Sequence, residues 1–67
     1  MPYAANEDLP QSVRAHLPPH AQDIYREAFN HAWEEYGGDE ATAHRVAWGA
    51  VKRLYVKQGS EWVPKGL

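Results

Sequence analysis

The stretch HAWEEYGGDEATAHRVAW, residues 31–48, decides the fold. Gly37, Gly38 and Asp39 stand between two apolar patterns of helical period, so the segment reads as one helix ending and another beginning. A glycine just past the last helical residue accepts the left-handed backbone that stops a helix. Asp39 then offers a side-chain oxygen to the first free amides of the helix that follows. The same stretch gathers two histidines, two tryptophans and a tyrosine. It can therefore be read as a small reactive pocket or as the interior of a very small protein.

Periodicity favours the interior. At about 100° per residue, Ala21, Ile24, Tyr25, Ala28, Phe29, Ala32, Trp33 and Tyr36 share one half of a helix predicted over Pro19 to Tyr36. Ala43, Val46, Ala47, Trp48, Ala50, Val51, Leu54 and Tyr55 form a similar arc on a third helix predicted over Glu40 to Lys57. Both arcs are wider than a coiled-coil seam, so each helix should touch more than one neighbour. Alanines allow close approach and the rings fill what remains, which assigns the tryptophans to the core.

Proline chemistry organises the rest. MPYAANEDLPQS reads as an extended arm, with Asp8 expected to cap a short helix that has Pro10 in its first turn. That helix must end near Leu17, because Pro18 and Pro19 follow. Glu61 to Val63 reads as an edge strand, expected to pair with the arm around Tyr3. The expected fold is mainly α: one domain over residues 1–67, with three helices and a small two-stranded sheet formed by the terminal segments.

Composition bounds the function. Sixty-seven residues make one domain with a small core. There is no cysteine, hence no disulfide, thiolate ligand or thiol nucleophile, which suits a reducing cytosol. No apolar run approaches the roughly 20 residues that span a bilayer, and no signal peptide opens the chain. A cytoplasmic protein without direct membrane insertion is expected. A net charge of −2 argues against a general polyanion binder but allows a local basic face.

Glu27 with His31, and Glu40 with His44, stand at i,i+4 and could chelate a metal. Dinuclear carboxylate bundles instead use Glu-x-x-His spacing with further inward carboxylates. A surface pair for Glu27 and His31, and a hydrogen-bonded, partly buried His44, are the expectation, with no metal site. His16 and His20 share the spacing, but the prolines between them break the helix. Ser12 and Ser60 lack a base-plus-orienter arrangement, and Gly37-Gly38 lacks the lysine and strand of a phosphate loop. No catalytic residue and no cofactor are assigned.

What remains is a surface. Arg45, Gly49, Lys52 and Arg53 lie on the outward side of the third helix, with Lys57 at its C-terminal limit. A glycine inside a helix costs about 1 kcal/mol against alanine, which close approach by a partner would explain. Matching of charges to the helix dipole is the simpler account of the bases. Acids concentrate on the second helix at Asp23, Glu27, Glu34 and Glu35, so the molecule is polarised and its basic face suits an anionic partner.

The segments MPY, DLP, LPPHAQDIYREAFNHAWEEY and TAHRVAWGAVKRLY resemble the ChaB family, described as regulators of cation transport. The similarity runs from Met1 through Trp62. It implies three helices with a small sheet, and a bacterial regulator linked to a sodium or calcium/proton antiporter. It also implies relatives with a DNA-binding role, and no catalytic residue. Antiporter-linked members can carry a longer charged loop between the second and third helices, which here shrinks to Gly37, Gly38 and Asp39. The expected function is a small non-enzymatic regulator acting by protein contact with a membrane cation antiporter. The alternative is a nucleic-acid-binding accessory module using the basic face of the third helix.

Overall fold

Pro18 and Pro19 end one helix and begin the next. In the computed structural model, which describes residues 2–66, helix α1 spans Gln11–His16 and helix α2 spans Pro19–Glu35. Pro19 occupies the first turn of α2, where its missing N–H has no intrahelical partner to lose. The Gln22 side chain donates back to the Leu17 carbonyl at 2.8 Å, bracing the joint between the two helices.

The decisive turn forms as its residues require. Tyr36 caps α2, and Gly37 (φ 65°) and Gly38 (φ 85°) take left-handed backbone. The Gly38 amide donates to the Trp33 carbonyl at 2.8 Å, the long bond of a Schellman stop. Helix α3, Glu40–Leu54, starts at Asp39, whose carboxylate accepts from the Thr42 amide at 3.3 Å and the Thr42 hydroxyl at 2.9 Å. Those bonds hold the Asp39 carboxyl below its usual pKa.

Helix α3 stops three residues before the predicted end at Lys57. Tyr55 is extended (φ −129°, ψ 154°) and begins strand β1, Tyr55–Gln58, which pairs antiparallel with β2, Glu61–Pro64. Gly59 (φ 63°) supplies the turn between them. The sheet is thus a hairpin inside the C-terminal segment and does not join the two termini. The arm near Tyr3 is held by another device. The Tyr3 amide donates to Asn30 Oδ1 at 2.8 Å, and Asn30 Nδ2 donates to the Tyr3 carbonyl at 2.7 Å. A side-chain amide makes the two bonds that a strand would have made.

Asp8 does not cap α1. It lies in a short 3₁₀ turn, Asn6–Asp8, and Pro10 stands at the cap position without a side-chain bond. Asn6 ties this turn to α2, donating to Asp23 at 2.6 Å and accepting from Arg26 Nε at 2.7 Å.

The core joins Leu9, Val13 and Leu17 to Ala21, Tyr25, Phe29 and Ala32 of α2, and to Ala43, Ala47 and Val51 of α3, with Tyr55 closing it. Helices α2 and α3 make the most extensive contact between elements. The buried arcs are narrower than the apolar spacing suggests. Tyr36, Val46 and Leu54 are exposed, and Trp33, Trp48 and Trp62 pack half-buried at the rim of the core.

Phe29 is 2% exposed and lies between the rings of Tyr3, Tyr25 and Trp33. Phe29→Ala should cost about 3–5 kcal/mol, comparable to what so small a core supplies. Thermal unfolding followed by circular dichroism should lose its cooperative transition. A sharp melt close to that of the wild type would contradict this account of the core.

Candidate functional site

Trp48 organises the outward side of α3. Its ring meets Tyr25 edge-on at 5.5 Å and Trp62 at 5.5 Å with a 38° tilt. Trp62 stands opposite Lys57 in the hairpin register, and cross-strand partners share a sheet face. Lys52 lies one turn beyond Trp48 on α3, and α1 closes the other side with Ser12, Val13 and His16. Together with His44 these residues line a groove of about 380 Å³ whose wall, among the described residues, contains no carboxylate. The Nδ1–H of His16 donates to the Ser12 carbonyl at 2.7 Å, which fixes that ring against its own helix.

The structure divides the predicted basic face. Lys52 and Lys57 meet in the groove. Arg45 lines a separate depression of about 460 Å³ with Tyr3, Tyr25 and Glu40. Arg53 is exposed and lines neither cavity. Gly49 is exposed, and a Cβ added there would meet nothing within 4 Å, so no packing inside the chain requires it. Among the described residues, Arg45, Lys52, Arg53 and Lys57 form no salt bridge.

The helix dipole explains only part of this pattern. Lys52 and Arg53 lie in the last turn of α3, where a cation is favoured. Lys57 is on β1, outside the helix, and Arg45 sits nearer the N-terminal end, where a cation gains nothing from the dipole. Two of the four cations therefore lack that explanation.

The histidines sort differently from the sequence expectation. His31 pairs with Glu35 at 3.8 Å and not with Glu27, and its side chain is 85% exposed. His44 shares a 2.7 Å hydrogen bond with the Tyr25 hydroxyl, as expected, but is exposed and not partly buried. His20 instead reaches the Tyr55 hydroxyl at 3.1 Å. Among the described residues no three His, Asp or Glu side chains converge as metal ligands.

Burial, with the nearby Tyr3 and Glu40 adding to it, pushes the Tyr25 phenol up to about 12. Burial and Glu40 also raise Tyr3. Both phenols are neutral near pH 7, so the depression beside Arg45 holds hydrogen-bonding groups and no phenolate base.

Sequence reasoning missed Ser12, His16 and Trp62 as groove residues and assigned Trp48 to the interior. The signal for Trp62 lies in YVKQGSEWVP, residues 55–64, where strand-forming residues flank Gly59 and Ser60. Read as a hairpin, that segment sets Trp62 beside Lys57.

A family model described as ChaB matches residues 9–65. Proteins named "Putative cation transport regulator ChaB" from Escherichia coli K12 and Shigella flexneri are each 53% identical over 66 residues, covering 85% of this chain and 87% of theirs. The solution structure of a protein of that name, determined by NMR, superposes with a TM-score of 0.86 at 48% identity, covering 97% of this chain and all of that one. The resemblance read from the sequence is borne out, as is a mainly α fold of three helices with a small two-stranded sheet, although the sheet is the C-terminal hairpin and not a pairing of the two terminal segments.

The Tyr25 phenol gives a pH test. Its folded-state value lies above the ordinary 10.0, so the unfolded chain ionises first. Stability should be full below pH 10.0 and decline as the pH rises toward about 12. Tyr25→Phe should flatten that alkaline decline while costing about 0.5–1.5 kcal/mol at neutral pH for the lost hydrogen bond to His44. Denaturant melts across the alkaline range check both effects; an unchanged slope in the variant would contradict the assignment.

Proposed function

The chain belongs to the ChaB family, and from that premise we propose that it is a single-domain, non-enzymatic regulator of cation transport that works by protein contact. Its partner in this reading is a sodium or calcium/proton antiporter, approached from the cytoplasm. The names of its relatives support the transport link. Among the described residues no helix is long and apolar enough to cross a membrane.

The observation that carries the contact reading is the set of cations Arg45, Lys52, Arg53 and Lys57 on α3 and β1, without salt bridges among the described residues, beside the bare helical backbone at Gly49. Asp23, Glu27, Glu34 and Glu35 lie on α2, so the two helices carry opposite charge. Complementary charge steers association and suppresses wrong partners, while the contact area supplies affinity. Gly49 admits a partner's backbone where any side chain would hold it off.

Purified protein added to inverted membrane vesicles holding the antiporter should change the rate of sodium- or calcium-driven proton exchange. Arg45→Glu/Lys52→Glu/Arg53→Glu should remove that effect while circular dichroism stays helical, because exposed substitutions usually move stability by less than about 0.5 kcal/mol each. An unchanged rate with the wild type contradicts the transport function, and a full effect from the triple variant contradicts the surface. Duplex DNA binding with a log–log salt slope near −0.9 per phosphate would favour the nucleic-acid alternative.

Gly49→Ala separates folding from contact. It should stabilise the isolated protein by about 0.5–1 kcal/mol, since nothing opposes the new methyl group. It should also weaken the effect on exchange. A stabilised variant of full effect would remove Gly49 from the contact surface.

A further inference from the structure

We propose that the groove between α1, α3 and the hairpin receives an acidic peptide segment that inserts one apolar side chain, the segment belonging to the protein partner. The proposal rests on the protein-contact reading and names the chemistry of the contact. Three observations support it.

The first is charge. Lys52 and Lys57 come from different elements yet line one groove, form no salt bridge among the described residues, and face no carboxylate across it. In a chain of net charge −2 this is a local concentration of unmatched cations. It matches an occupant that brings its own carboxylates.

The second is the groove's apolar part. Trp48 and Trp62 are half-buried, with part of each ring packed against the core and part lining the groove. Exposed lysine–carboxylate pairs contribute little each, so charge alone gives weak binding. A desolvated apolar anchor against indole rings adds the contact that makes a site selective. At about 380 Å³ the groove sits near the lower end of ligand-site volumes, which suits one side chain and its neighbours.

The third observation separates a peptide from a nucleic acid. Single-strand binders combine a long positive track with rings on which successive bases stack. Here the cations of the groove are confined to one short stretch, and Arg45 and Arg53 lie outside it. Trp48 and Trp62 meet at 5.5 Å and 38°, packed on each other, and leave no slot between them for a base.

The test uses intrinsic fluorescence. Trp33 lies away from the groove against Gly38, so Trp33→Phe leaves emission that reports Trp48 and Trp62 alone. In that background, a short synthetic peptide of aspartates and glutamates around one phenylalanine should change the emission saturably. Lys52→Glu/Lys57→Glu should weaken binding about tenfold or more, with circular dichroism unchanged. Replacing the phenylalanine by serine should weaken it by a similar factor. Three results would overturn the proposal: no emission change, equal binding of a peptide with asparagine and glutamine in place of the acids, or equally tight binding of oligothymidylate.

The vesicle assay separates this proposal from the function it rests on. Peptide binding without any effect of the protein on exchange would sink the transport reading and leave the groove standing. A Lys52→Glu/Lys57→Glu protein that loses the peptide but still controls exchange would sink the groove and leave the regulator.

Discussion

The close approach of α2 and α3 is the constraint on which the rest of the structure depends. Ala21, Ala32, Ala43 and Ala47 are at most 2% exposed, and small side chains on both helices let the backbones come near each other. Tyr25 and Phe29 fill the remaining interior and are almost completely buried. With no disulfide to share the load, this arrangement carries the stability of the chain. It also limits what fits inside. The three indoles are left at the rim of the core, and the groove exists because Trp48 and Trp62 pack on the interior without entering it.

Most of the helical frame was legible because it is written in local chemistry. Pro19, Gly37 and Asp39 impose backbone states or supply caps within a few residues of themselves, so the limits of α2 and the start of α3 follow from the sequence. The end of α3 does not. Tyr55 stands four residues after Val51, so a continued helix and a strand both turn it inward. Extended backbone prevails because Val56 and Lys57 find Val63 and Trp62 across the hairpin, a tertiary pairing that local propensity does not record. The arm misled for a related reason. Asn30 looks like an ordinary polar position on α2, yet its amide makes the paired bonds with Tyr3 that an edge strand would have made.

The candidate site divides along the same line. Arg45, Gly49, Lys52 and Arg53 share an outward face because helical spacing puts them there, and that much can be read without coordinates. The meeting of Lys57 and Lys52 depends on where the hairpin folds back, and the contribution of His16 depends on how α1 is set by the prolines after it. The tryptophans show why a choice between core and site is too coarse. Trp48 packs edge-on against buried Tyr25 while another part of its ring lines the groove, so one side chain serves stability and surface at once.

The central proposal is that a close-packed interior presents one basic, indole-lined groove, with Lys52 and Lys57 at its wall, to an acidic partner. The most direct measurement is an NMR titration of isotopically labelled protein with the acidic phenylalanine peptide, following backbone amides and the three indole N–H signals. With the peptide in the groove, the Trp48 and Trp62 indoles and the Lys52 and Lys57 amides should shift together, while Trp33 and the acidic positions of α2 stay still. Shifts confined to α2 and Trp33, with Trp48 and Trp62 unmoved, would contradict it.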